Sequence, residues 1–405
     1  SLNGDITTFG ANAHGIFAQS LGDGGGAFGN DGQLFAGNNP SGSATPTYNG
    51  GGGAITINQT GGVVSTAGNG SIGIFAQSSG NNNNMQNPID ITIGGSVVGG
   101  TGTNAAGIVV SGGVSSGSQA YNNLIFNTIT INPGGFVGTA DGAAGTAIAA
   151  SDSVTNIVNN GTVIYTNTSA GTANQNISGS GAIRVTGTGV TLNGNISTTG
   201  QLQVNGTSAG LTLGGTRSGA NNSGVLLNGT GATLSVANTG SIQGGQFLGV
   251  RVTGANTTVN NLGVIQNSGT GGDGTVGAAV YVANAGAGGV TTVNNGSVSD
   301  TGAGSVIHGY NAGVRHESGS TDTLVVNNYG HIIGDIYNGI ENTAGGLTVN
   351  NFNGGYIWTL LGNGISSASN RAITVTNAGV VGQDVSGTQI VGGAGVNASA
   401  SVALT

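Results

Sequence analysis

Val259-Asn260-Asn261-Leu262-Gly263-Val264-Ile265 decides how this chain is read. A short run of alternating apolar and polar residues ends in Asn. A turn residue follows, then Gly, then a second β-forming run. The pattern returns as Val293-Asn294-Asn295-Gly296-Ser297-Val298 and as Val326-Asn327-Asn328-Tyr329-Gly330-His331-Ile332-Ile333. Val349-Asn350-Asn351-Phe352-Asn353-Gly354 and Val375-Thr376-Asn377-Ala378-Gly379-Val380-Val381 continue it. Earlier copies are Ile57-Asn58-Gln59-Thr60-Gly61, Ile131-Asn132-Pro133-Gly134, Val158-Asn159-Asn160-Gly161 and Val236-Ala237-Asn238-Thr239-Gly240.

From Gly240 onward the repeat glycines are spaced by 23, 33, 34, 24 and 25 residues. A period near 24 with insertions of about ten is the signature of stacked coils with variable loops. Each unit reads as strand, Asn/Gly turn, strand, loop and third strand, as in Leu248-Gly249-Val250-Arg251-Val252. The expected fold is therefore all-β: a right-handed parallel β-helix with three short strands per coil. One coil cannot bury its apolar face alone, but a stack makes a continuous core. Twelve or so repeat units, up to fifteen coils, at ~4.8 Å each give a rod roughly 60–70 Å long.

The turn residues have a physical reason. Asn tolerates left-handed backbone and bonds its own turn, and stacked Asn side chains can bond coil to coil as a ladder. Gly supplies positive φ or room for the neighbouring coil. The expected turn and ladder positions are Asn160, Gly161, Asn260, Gly263, Asn294, Gly296, Asn327, Gly330, Asn350, Gly354, Asn377 and Gly379.

Composition agrees. Glycine supplies 86 of 405 residues, and only 4% of residues are charged, yet 36% are hydrophobic. Disordered chains show the opposite balance. Glycine has no three-residue period and Pro numbers 4, which excludes collagen. The only cations besides His are Arg184, Arg217, Arg251, Arg315 and Arg371, and the net charge is −8. That excludes a basic surface for nucleic acid. Cysteine is absent, so disulfides and thiol chemistry are excluded. No apolar run reaches the length of a membrane-spanning helix. The chain opens Ser1-Leu2-Asn3-Gly4 without a basic leader, as a processed segment does.

Residues 1–150 read as coils with long Gly/Asn-rich loops, and 151–405 as tighter coils of the same continuous domain. Gly22-Asp23-Gly24-Gly25-Gly26 and Asn81-Asn82-Asn83-Asn84 are expected to be loops. Gly15-Ile16-Phe17-Ala18-Gln19-Ser20 and Gly73-Ile74-Phe75-Ala76-Gln77-Ser78 form a near-duplicate pair. Ile and Phe are expected in the core, with Gln19 and Gln77 stacked.

Gly-Ile-Phe-Ala-Gln-Ser followed by a Gly-rich loop, together with the recurring Asn-Asn-x-Gly units, resembles the passenger region of bacterial type V autotransporters. The resemblance covers essentially the whole chain, without the C-terminal β-barrel. It implies export to the bacterial cell surface and a role as adhesin, biofilm factor or surface fibre.

Candidate chemistry is sparse. Arg315, His316, Glu317 and Asp322, with His308 and His331 nearby, form the densest polar group. It has the residue types of a catalytic pair or metal site, and also those of a polar loop on a coil corner. Gly271-Gly272-Asp273-Gly274 resembles a Ca²⁺ nonapeptide but lacks its tandem copy. No catalytic residue, cofactor or metal is therefore assigned, and no enzyme is expected. Tyr310, Tyr329, Tyr337, Tyr356 and Trp358 concentrate aromatic surface and are the expected partner surface. Candidate partners are host or neighbouring-cell surfaces, glycans, and further copies stacked head to tail into filaments, because open coil ends present raw strand edges. The alternatives are a carbohydrate-active β-helix enzyme and a surface-lattice protein.

Overall fold

The computed structural model describes residues 1–21, 52–79, 88–113, 126–140, 145–150, 155–167, 171–219, 223–245, 247–267, 269, 277–283, 289–299, 304–317, 321–371, 373–383, 395–398 and 402–404. The Gly22–Gly26, Asn81–Asn84 and Gly271–Gly274 segments lie outside them. Among the described residues every regular element is a strand, and no helix is long and apolar enough to cross a membrane. The chain forms a parallel β-solenoid and divides into two compact units, Ser1–Val190 and Thr191–Thr405.

In the first unit three rows of parallel strands recur in turn. One runs from Ile55–Gln59 through Ile89–Ile93, Asn127–Ile131 and Thr155–Asn159 to Asn176–Ser178. The next runs from Ile6–Thr8 and Val63–Thr66 to Ala182–Val185. The third joins Ile16–Leu21, Ile72–Ser79, Ala106–Gly112 and Thr146–Ala149.

The second unit repeats the scheme. The Asn row runs from Gly210–Leu213 through Thr258–Asn261 and Thr323–Asn328 to Ile373–Asn377 and Val402–Leu404. The row after the Asn turn runs from Thr216–Ser218 to Val380–Gln383. The third row runs from Leu202–Val204 to Val396–Ala398.

Alternation explains the core. Successive side chains in a strand point to opposite faces, so every second residue enters the stack. Val259, Val293, Val326 and Val349 are fully buried, as are Ile242, Ile265, Ile307, Ile332 and Ile357. Each such aliphatic side chain contributes roughly 1.5–3 kcal/mol. The register aligns identical residues: Ile265 lies on Ile307, and Val293 on Val326. A slip by one residue would expose the whole column.

The near-duplicate pair is aligned residue for residue, Ile16 on Ile74 and Gln19 on Gln77. Gln19 Nε2 donates to Gln77 Oε1 at 2.7 Å. Ile74 is fully buried, but Phe17 is 39% exposed and stacks on Phe75 with centroids 5.2 Å apart. Phe75 is buried and packs with Ile72 and Ala106 in the core, as expected, whereas Phe17 keeps part of its ring at the surface.

Candidate functional site

The ladder positions resolve into two columns. The inner column holds Asn261, Asn295, Asn328 and Asn351, all buried, and ends at the exposed Asn377. Asn261 Nδ2 donates to Asn295 Oδ1 at 2.8 Å, Asn295 to Asn328 at 2.8 Å, Asn328 to Asn351 at 2.8 Å and Asn351 to Asn377 at 2.7 Å. Each Nδ2 also donates to a backbone carbonyl of the next coil: Val306, His331, Tyr356 and Val380 in order. Both amide hydrogens thus clamp one coil to the next. The ladder begins where Asn261 follows Val236 in the column. Asn261 Oδ1 is buried there without a hydrogen-bond partner.

The outer column is half-buried and runs the other way. Asn294 Nδ2 donates to Asn260 Oδ1 at 2.8 Å, Asn327 to Asn294 at 2.8 Å and Asn350 to Asn327 at 2.9 Å. Thr376 stands over Asn350, so Asn377 belongs to the inner column. Asn160 accepts from the Ser180 backbone N–H at 3.0 Å. The inner asparagines were legible in each Asn-Asn pair. Which Asn of a pair faces inward follows from the register.

The glycines divide likewise. A Cβ at Gly161, Gly263 or Gly379 would stand 2.2 Å from the carbonyl oxygen of Gly135, Gly240 or Gly355 in the preceding coil. At Gly330 it would stand 2.3 Å from the Ser305 oxygen. Glycine is required at these positions for close approach. Gly296 and Gly354 have φ of +79° and +86° and lie outside this column, whose members in those coils are Ser305 and Gly355. With Ser305 in place, the last column positions are spaced by 25, 25 and 24 residues.

The outward positions give the three rows of the second unit different chemistry. On the Asn row one column carries Thr233, Thr258, Thr292, Val325, Thr348 and Thr374. Beside it stand Ser235, Asn260, Asn294, Asn327, Asn350 and Thr376. The row after the turn becomes aromatic. His331 tilts onto Tyr356, centroids 4.9 Å apart, and Trp358 lies in register over Ile333. At the preceding corner Tyr329 stacks on Phe352 at 4.1 Å and 8°. Tyr337, Tyr356, Leu360 and Leu361 are exposed, while Tyr310, Tyr329 and Trp358 are half-buried.

The third row carries charge. Arg251, Tyr281, Arg315 and Glu341 align in one column. Arg315 Nη1 lies 3.6 Å from Glu341 Oε2. Burial, and a hydrogen bond to Glu317, push the Tyr281 hydroxyl pKa up.

The polar group around Arg315 is thereby divided. His316 turns inward, fully buried, with Nδ1 2.8 Å from Asn342 Oδ1. Burial pulls its pKa below the ordinary value, against the opposing influence of Asn342 and of Asp322. Asp322 is buried too and accepts the Gly289 N–H at 3.1 Å. His308 Nε2 lies 2.7 Å from Asp335 Oδ1 at the surface of a different row. Among the described residues no three His, Cys, Asp or Glu side chains gather as metal ligands do.

Sequence reading did not single out Arg217. It is fully buried, in the column between Ile196 and Ile242. Nε donates to Gly224 O at 2.9 Å, Nη1 to Thr198 O at 2.8 Å and Nη2 to Gly200 O at 2.9 Å. Burial lowers its pKa to about 10, which leaves it charged at neutral pH. The guanidinium gathers carbonyls that the apolar core leaves without donors. His14 was also missed. It stacks on Phe17 and Phe75, and its Nδ1 accepts the Ile72 N–H at 3.0 Å.

Comparison with known proteins gives no match to a family model, to a curated protein or to a solved structure.

Proposed function

We propose that this chain is an extracellular structural and adhesive protein of the bacterial surface, an adhesin or fibre subunit of autotransporter passenger type. The aromatic strip supports this reading most directly. Two successive coils display Tyr329 against Phe352, then Tyr356, Trp358, Leu360 and Leu361, along one side of a stack clamped by amide ladders. Contiguous exposed apolar surface marks a site of interaction, and aromatic anchors dominate such sites. The charge-poor composition leaves shape and ring surface as the main sources of affinity.

The test is retention of the purified chain on cells and on glycan-coated surfaces. The double variant Y356A/W358A is expected to lose about tenfold or more in retention. Equal retention of both proteins, or none for the wild type, overturns the reading. Self-association is the companion reading, because a stack of parallel strands in register can be extended by the coils of another copy. Electron microscopy is expected to show end-to-end filaments; dispersed single particles at high concentration argue against it.

A further inference from the structure

The Asn row of the second unit carries a surface that the adhesive reading does not use. Over successive coils from Thr233 to Thr376 its two outward columns hold only Thr, Ser and Asn, apart from Val325. None of these residues is charged or aromatic. The other two rows differ: one carries Tyr356 and Trp358, the other Arg251, Arg315 and Glu341. An unbroken pair of columns of small neutral side chains therefore runs along the Asn row, whereas the other two rows mix Thr216, Ser241 and Ser366 with aromatic or charged residues.

The geometry is a grid. Coils repeat at ~4.8 Å, and the two columns stand about 6.6 Å apart along the strand. The side chains are also held in place. Asn260, Asn294, Asn327 and Asn350 are tied to one another by bonds of 2.8–2.9 Å. Thr is β-branched and stiff at χ1. Each ladder bond uses one of two Nδ2 hydrogens and one of two Oδ1 lone pairs. A donor and an acceptor per inner link therefore remain for the solvent side, beside a threonine methyl and hydroxyl.

The chemistry narrows the occupant. A protein partner is selected by clustered apolar or aromatic anchors, and this face offers only Val325 and, at its edge, Val290. A charged polymer requires opposite charge, which it lacks too. Soluble sugars seek ring faces, and those lie on the neighbouring row. A rigid neutral grid of hydroxyls and amides is complementary to a ligand that is itself a neutral, rigid grid of donors and acceptors. Its side chains are already ordered, so binding costs little entropy. Water ordered over the grid presents oxygens at regular spacing.

We propose that this Thr/Asn face binds the surface of ice. The grid positions water as the crystal does, and the methyls of Thr258, Thr292 and Thr348 seat between water oxygens.

The experiment is partition of the full chain into slowly growing ice, with ice-crystal shaping as a second readout. The wild type is expected to concentrate in the ice and to facet the crystals. The variant T292K/T348K is expected to partition about tenfold less while keeping its β circular dichroism. A milder variant, T258V/T292V, removes two hydroxyls but preserves side-chain shape in case the lysines disturb folding, and is expected to partition less than the wild type and more than T292K/T348K. Exclusion of the wild type from ice, as for an ordinary solute, overturns the proposal. So does undiminished partition by folded T292K/T348K, or wild-type binding to crystalline polysaccharide without binding to ice.

Discussion

The column that ends each Asn strand mixes amide and apolar residues in the first unit, and from Asn261 onward in the second it is an unbroken run of amides. In the first unit it holds Gln59, Ile93, Ile131 and Asn159. In the second it holds Asn261, Asn295, Asn328, Asn351 and Asn377. Both are built on the same strand, turn and glycine. The isolated amides must turn to the backbone. Gln59 Nε2 donates to Gly62 O and Ser96 O, both at 3.1 Å, and its Oε1 is buried without a partner. Asn159 donates to Ala182 O at 3.0 Å and accepts from Gly161 N–H at 3.1 Å. The stacked amides satisfy one another, and only Asn261, at the start, keeps an unpartnered oxygen. A buried polar column costs little when it is continuous, because the penalty is confined to its end.

The comparison can be broken at the middle of the ladder. Asn295→Leu removes a donor to Asn328 and an acceptor for Asn261, both buried, and is expected to cost roughly 2–4 kcal/mol. Gln59→Ile, which extends the apolar column of the first unit, is expected to change stability by about 1 kcal/mol or less. Urea unfolding measures both. Equal losses would mean that the ladder is no more than a set of independent amides.

Next in size is the contrast between two kinds of glycine. Gly263→Ala drives a Cβ to 2.2 Å from the Gly240 oxygen and is expected to cost about 2–3 kcal/mol through a forced shift of the coil. Gly354→Ala meets nothing within 4 Å and suffers only its φ of +86°, about 1–2 kcal/mol. The same unfolding midpoints rank them; the reverse order breaks the assignment of close approach to Gly263.

The smallest expected effect is on pH dependence, and each unit contributes one histidine. His14 and His316 both have pKa values held below the ordinary 6.5, chiefly by burial. The unfolded chain then binds protons that the folded chain refuses. Their contribution is full above about pH 6.5 and is lost as pH falls through that value and below it. At His14 the protonated ring must also release the Ile72 N–H. Melting temperature is expected to fall between about pH 7 and pH 5, with a flatter profile in His14→Asn and in His316→Asn. Unchanged slopes in both variants would remove these groups from the account.

Much of the solenoid was legible. Val259-Asn260-Asn261-Leu262-Gly263 contains the alternation, the turn and the glycine, all of which depend on neighbours in sequence. The pairing of Gln19 with Gln77 was legible because the two hexapeptides are near copies. Other features depended on distant contacts. Gly296 resembles its counterparts in sequence, yet Ser305 takes the column position, since only the pairing of His331 N–H with Ser305 O defines the register there. Arg315, His316 and Glu317 are adjacent in sequence, but strand alternation sends His316 inward and Arg315 outward. The aromatic concentration at 310–358 was visible as composition; that Tyr356 and Trp358 share a face with His331 and Ile333 was not.

Sequence alone determined that this chain stacks short strands around aliphatic columns with Asn and Gly at the corners, because those preferences act over a few residues. Tertiary structure decided which asparagine of each pair is buried, which glycines are needed for close approach, and how the three faces of the second unit acquire neutral, aromatic and charged surfaces. Those features are properties of a column, set by residues about one coil apart that meet only once the coils stack.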